Sequence, residues 1–173
     1  MKRSDSRKGF TLIELVIVVS ILAILAGVMV PKLAGRSAKA RDARRLADIR
    51  AITTAIQTYY ADTGSFPDFQ ENESTGGWDV SFDGNFINEL TNKGYLPEPA
   101  QDPINDEEFH YRYYRYSQGS YSCEGSTPFY VIGIKKFETD EFTTANRGFF
   151  RCRGRDWSTE FAYVTGDGAS FQQ

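Results

Sequence analysis

Gly9-Phe10-Thr11-Leu12-Ile13-Glu14-Leu15-Val16 opens an apolar run that lasts to Pro31, and Glu14 is the only charged side chain from Phe10 through Pro31. A run of about 20 apolar residues matches the hydrocarbon core of a bilayer at 1.5 Å rise per residue. No other stretch of the chain is suited to crossing a membrane. A carboxylate in such surroundings costs several kcal/mol unless it is paired or neutral, and a lone helix is expected to offer Glu14 no partner. A cut after Gly9 makes Phe10 a new N-terminus. Its amine lies about one turn from Glu14 in the same helix, and it reaches equally well the Glu14 of a neighbouring, axially shifted helix. At low effective dielectric that pair is worth several kcal/mol, so a bundle relieves what one chain cannot.

The residues Lys8-Gly9-Phe10-Thr11-Leu12-Ile13-Glu14-Leu15 closely resemble the processing site of type IV pilins and type II secretion pseudopilins. The resemblance covers about the first third of the chain. It implies a leader, residues 1–9, removed between Gly9 and Phe10 by a prepilin peptidase that also N-methylates Phe10. It implies Glu14 as the assembly carboxylate. Pro31 at the end of the apolar run fits the same pattern.

The rest of the chain divides by charge. The formal net charge is −3 over 173 residues, and aromatic residues make up 14%. Residues 1–9 carry +3 and residues 32–50 carry +5, whereas residues 51–173 hold nine Lys or Arg against nineteen Asp or Glu. A basic shaft with an acidic head suits lateral packing of shifted copies, although solvated faces have the same composition. Basic residues flank the apolar run on both sides, so charge alone does not orient it. A secretory signal is cleaved after its apolar region; a cut before it leaves the span in the mature protein.

Residues 10–31 read as the membrane-spanning, filament-core half of a long helix and residues 32–62 as its amphipathic half. Gly27, Pro31 and Gly35 fall at four-residue spacing and cost about 5 kcal/mol of helix propensity relative to alanine. They predict a kink, or local melting when subunits pack. Further on, Leu46, Ile49, Ile52, Ile56 and Tyr59 form one apolar stripe at helical period, suited to packing under a sheet. Thr63-Gly64-Ser65-Phe66-Pro67 ends the helix.

The remainder, 63–173, reads as a globular head. Residues 63–108 are expected to be mostly loop, with a short helix over Phe86–Leu90 that ends near Gly94. Gly94-Tyr95-Leu96-Pro97 followed by Asp102-Pro103 resembles the linker of many pilins and major pseudopilins. Residues 109–173 carry the strands: Phe109–Tyr116, where a change of parity predicts a bulge, Phe129–Ile134 as the central one, Phe161–Val164, and a short candidate at Phe149-Phe150. One long helix followed by strands argues an α+β fold, a pilin-like helix packed against a small antiparallel sheet. Cys123 and Cys152, in a head outside the cytoplasm, are expected to form a disulfide.

Other chemistry has little support. Asp102, Asn105, Asp106, Glu107 and Glu108 are dense hard-oxygen groups in one loop; the resemblance to major pseudopilins implies a calcium site in the C-terminal half of the head, which this run is a candidate to provide, although it lacks the spacing of an EF-hand. No other cofactor is expected. His110 is the only histidine, and no phosphate-cradling loop is present, so no enzyme is expected. The basic 32–50 segment lacks aromatic stacking platforms, and Tyr111-Arg112-Tyr113-Tyr114-Arg115-Tyr116 reads as a sheet strand rather than a nucleic-acid surface.

The resemblance therefore implies a structural subunit of a type IV pilus, a surface fibre of the kind used in adhesion and motility. The alternatives are a pseudopilin of a type II secretion system and an uncleaved membrane-tethered binding protein. The implied partners are other copies of the chain, the prepilin peptidase and N-methyltransferase, the inner-membrane assembly machinery and, before assembly, lipid. The implied location is the inner membrane, single-pass with the head outside the cytoplasm, and then an extracellular pilus or a periplasmic pseudopilus.

Overall fold

The computed structural model describes residues 10–125 and 127–169, with side chains for all of these except 28–34. The leader expected over 1–9 lies outside the described residues. The chain divides into two units, residues 1–38 and 39–173. One helix, α1 (Leu12–Thr63), supplies the first unit and continues into the second.

In the first unit α1 is helical without interruption through Gly27, Pro31 and Gly35. The local melting foreseen as subunits pack is not present in this single chain. Proline removes one N–H and strains one turn, which the turns on either side can span. From Phe10 to Leu25 the large apolar side chains are exposed. Among the described residues no helix is long and apolar enough to cross a membrane. The described apolar side chains stop at Gly27, short of the about 20 residues a bilayer takes.

The second unit is built in layers around an antiparallel sheet of order β1-β2-β3-β6. Its strands are β1 (Asp79–Val80), β2 (Tyr111–Tyr116), β3 (Phe129–Ile134) and β6 (Tyr163–Asp167). The stripe Leu46, Ile49, Ile52, Ile56 and Tyr59 of α1 is buried against one face, with Tyr111, Tyr113, Tyr130, Ile132 and Ile134. Those five helix side chains contribute on the order of 10 kcal/mol before the entropy of ordering the chain is charged against them. The opposite face holds a second core of Trp78, Tyr116, Phe129, Val131, Phe150, Trp157 and Val164. Beside it lies a separate hairpin, β4 (Arg151–Cys152) with β5 (Arg155–Asp156).

Two covered faces explain the parity change in Tyr111–Tyr116. Tyr111 and Tyr113 face the helix, and Tyr116 faces the second core. The register runs unbroken from Tyr111↔Ile134 to Tyr116↔Phe129, so the expected bulge is absent. A strand buried on both sides loses the alternation that marks a one-sided strand.

Three further expectations are corrected. The loop over 63–108 contains β1, which pairs Asp79 with Tyr113. A two-residue strand with an aspartate at its start has no readable period. Phe149-Phe150 is not itself a strand; pairing begins one residue later, at Arg151. The last strand starts at Tyr163 rather than Phe161. The short helix α2 (Asn88–Asn92) does form and is followed by Gly94 at φ +79°, and a further short helix, α3 (Asp140–Ala145), follows β3.

Candidate functional site

The first site is the start of α1. Phe10 is 87% exposed, and Thr11 stands just ahead of the first helical residue. The Glu14 Oε2 accepts hydrogen bonds from the Thr11 backbone N–H (2.8 Å) and from Thr11 Oγ1 (2.7 Å). In return the Glu14 N–H donates to Thr11 Oγ1 at 3.3 Å. This is a capping box, which satisfies helix N–H groups that otherwise have no acceptor. The expectation that Glu14 has no partner in a lone helix is therefore corrected. Thr11-x-x-Glu14 is the signal that could have revealed it. Thr11 is a neutral partner, however, and among the described residues Glu14 makes no ion pair. Phe10 and Glu14 lie close in the chain, as the processing reading requires; Gly9 lies outside the described residues.

The second site joins the 39–63 part of α1 to the head. Arg45 is fully buried, as are Asp42 and Asp102. The guanidinium of Arg45 donates through Nε to Asp102 Oδ2 (2.6 Å) and through Nη2 to Asp102 Oδ1 (2.9 Å), a two-pronged pair. Its Nη1 donates to Asp42 Oδ1 (2.7 Å) and Glu138 Oε1 (2.8 Å). Arg41 Nε donates to Glu138 Oε1 at 2.8 Å. Asp42 in turn accepts from the N–H groups of Glu138 (2.9 Å) and Thr139 (3.0 Å). Hydrogen bonds from Arg41, and then from Arg45, hold the Glu138 carboxyl at about 2 against its partial burial. Burial works against the charge of Arg45, and the bonds from Asp102 and Glu138 outweigh it. Such a cluster fixes one relative placement of its elements rather than adding much net stability.

This network corrects the view of 32–50 as wholly solvated or wholly free for neighbours. Arg41, Arg45 and Lys39 pair with acids of the head, and Arg44 pairs with Asp48. A buried Arg-Asp pair written in a charged helix looks like any solvated face, and only the fold tells them apart.

Of the calcium candidates, Asp102 and Asn105 meet, the Asn105 N–H donating to Asp102 Oδ1 at 3.4 Å and the Asp102 N–H to Asn105 Oδ1 at 3.3 Å, but both side chains are engaged elsewhere. Asp102 turns inward to Arg45, and Asn105 Oδ1 accepts from Ser81 Oγ at 2.7 Å. Asp106 and Glu107 are exposed. Among the described residues no three acidic, histidine or cysteine side chains are grouped to hold a metal. His110 is buried, its Nε2 accepting from Arg112 Nε at 2.8 Å while its Nδ1 lies 3.0 Å from the Asp106 carbonyl. Burial, then the charge of Arg112, push its pKa down to about 4. A neutral ring between those partners is structural.

Cys123 and Cys152 are joined in a disulfide, with their Cα atoms 4.9 Å apart. Gly154 N–H donates to Tyr121 O at 2.8 Å beside it.

Asp79 was missed by the sequence. It is fully buried at the start of β1. Its Oδ2 accepts from the N–H groups of Ile87 (3.1 Å) and Gln70 (3.2 Å), while Oδ1 has no hydrogen-bond partner. Burial pushes its pKa up to about 7. It holds Ile87 in a left-handed conformation, φ +43°, that a β-branched residue rarely adopts.

Comparison with known proteins bears on the first site. The prokaryotic N-terminal methylation motif matches residues 4–30. Over 67 residues the chain is 36% identical to type II secretion system core protein G of Escherichia coli (strain K12), covering 39% of this chain and 46% of that one. The core protein G of Vibrio cholerae serotype O1 is 40% identical over 67 residues, with the same coverage. That of Aeromonas hydrophila is 41% identical over 66 residues, 38% of this chain and 45% of that one. The chain spans less than half the length of these curated relatives. No solved structure matches it. The resemblance read from Lys8–Leu15 thus holds for the N-terminal stretch: the chain carries a prepilin-type motif.

Proposed function

We propose that this chain is a pseudopilin of a type II secretion system, a structural subunit and not an enzyme. The observation that carries this reading is the likeness of its N-terminal stretch to core protein G of such systems, joined to the methylation motif over residues 4–30. That likeness supports the secretion alternative better than the first expectation, a type IV pilus subunit. Adhesion and motility have no support in them.

In this reading the precursor inserts its apolar segment, residues 10–31, in the inner membrane with the head on the far side. A prepilin peptidase cuts between Gly9 and Phe10 and methylates the Phe10 amine. The cut places a cationic amine beside Glu14, whose carboxylate accepts from Thr11 among the described residues. In an assembled bundle, each Glu14 pairs with the amine of a shifted neighbour, and the apolar side chains exposed along α1 in a single chain are covered by other helices. The polymer is a short periplasmic fibre that works by assembly rather than turnover.

The test is a mass spectrum of the mature protein together with a secretion assay. The reading predicts a chain beginning at methyl-Phe10 and loss of export of secreted enzymes when the chain is removed. A mature chain beginning at Met1 overturns it in favour of a tethered binding protein. Long extracellular fibres containing this chain, with secretion intact, return it to a type IV pilus.

A further inference from the structure

Residues 51–173 hold nine basic side chains against nineteen acidic ones. Six of the nine have a named partner. Lys93 binds Glu89, Lys136 binds Glu108 and Arg155 binds Glu160. Arg115 binds Asp68, Arg112 binds His110, and Lys135 donates to the Glu160 carbonyl. The other three are Arg147, Arg151 and Arg153. All are exposed, and none of their side chains makes an ion pair or hydrogen bond among the described residues. Between them stands Phe149, 51% exposed. Thus the unspent positive charge of an acidic head is gathered in one seven-residue edge with an apolar side chain at its centre.

A matching edge lies elsewhere on the same head. Ile104, 39% exposed, is followed by the exposed acids Asp106, Glu107 and Glu108. Asp106 caps its own turn by accepting from the Glu108 and Phe109 N–H groups, and Glu108 pairs with Lys136. Glu107 makes no contact of either kind among the described residues. Of the three large apolar side chains exposed in the described head, Ile104, Tyr121 and Phe149, one sits in each edge. The third, Tyr121, is tied by its hydroxyl to Arg155.

The two edges make no hydrogen bond or ion pair with each other among the described residues. Ile104–Glu108 leads into β2 at the end where Tyr111 pairs with Ile134. The arginine edge starts beside β6 on the other side of β3, where Gly148 lies against Val164 and Phe150 against Gly166, and it ends in the hairpin held by the Cys123–Cys152 bond and by Gly154 on Tyr121. The edges are thus two separate patches of one fold, which a second head can bring together. A contact between different patches on two copies is head-to-tail, and it propagates as an open helical array unless the rotation closes a ring.

We propose that the Arg147–Arg153 edge of one copy, centred on Phe149, docks on the Ile104–Glu108 loop of a second copy, as the head-to-head contact of the assembled fibre. The proposal rests on the polymer reading above. Arginine and an exposed aromatic side chain are enriched in protein interfaces. Opposite charge sets the register and excludes the like-charged remainder of the head. A nucleic acid also attracts arginine, but it must approach a head that is acidic everywhere else.

The test places the photocrosslinking residue p-benzoylphenylalanine at position 149 of the full-length chain, and irradiates assembled fibres. The expected product is an adduct of twice the chain mass that maps to residues 104–108. It falls about tenfold in Arg151→Glu/Arg153→Glu, and recovers when Glu107→Arg is added to the same chain. All three substitutions change exposed side chains with no ion pair or hydrogen bond among the described residues, so secretion of a folded head is the control. Fibres that form but give no adduct, an adduct mapped elsewhere, or one with nucleic acid or another protein, overturn this contact and leave the proposed function standing. A processed chain that never polymerises overturns both.

Discussion

Arg45 shows how one side chain can be decisive without being legible. It is the fully buried cation among three carboxylates. Arg45→Met removes the charge and strands Asp42 and Asp102 in the interior. The expected loss is about 3–5 kcal/mol, read as a lower midpoint in urea unfolding of the full chain. A change below 1 kcal/mol contradicts the network. Asp79 makes a different prediction, in pH. Its native pKa is raised from 3.8 to about 7, so the folded state holds a proton that the unfolded chain has already released. The stability this confers is complete below pH 3.8 and is lost as pH rises through 7. Between pH 6.5 and 8 the wild type should lose about 1 kcal/mol that Asp79→Asn does not lose. That window lies above the ordinary range of His110, whose lowered pKa acts in the opposite direction between 6.5 and about 4. Parallel melting of the two proteins at both pH values checks it.

At the scale of elements, β3 and the hairpin that covers it depend on close approach. Gly133 sits within the fully buried strand β3, and a Cβ there would lie 2.6 Å from the Phe161 ring and 2.7 Å from Tyr163 O. Gly133→Ala is therefore expected to cost about 1–3 kcal/mol, because backbone on one side and a packed ring on the other must both shift. Thermal unfolding checks this; a neutral result means the β3–β6 pair is looser than it is drawn. The Cys123–Cys152 bond closes a loop of sequence separation 29. Reduction is expected to lower the stability of the head by about 3–4 kcal/mol on the loop-entropy account. The helicity of α1 should survive, since its buried stripe does not touch either cysteine's cluster. Circular dichroism with and without reductant separates the two. The helix stripe and the central strand could be read from the sequence because each follows a simple period. β1 could not, since a two-residue strand has no period, and Tyr111–Tyr116 misled because both of its faces are covered.

For the whole molecule, the proposed function turns on assembly. Glu14→Ala removes both halves of the capping box that involve its side chain and the charge the methyl-Phe10 amine would meet. The variant is expected to insert and be found in membranes, yet to give fibre yields reduced tenfold or more; wild-type yield contradicts the pairing argument. The sequence alone determined the prepilin-type motif, the long helix, its buried stripe, the α+β plan and the cysteine pair. These are local matters: a motif of adjacent residues, a period, a short list of possible partners. Only the tertiary structure decided which charges are interior, that Asp102 pairs with Arg45, and that the side chains of three arginines at one edge of an acidic head have no partner among the described residues. Burial and pairing depend on residues 57 to 97 positions apart in the chain meeting in space, and no spacing within a sequence encodes that distance directly.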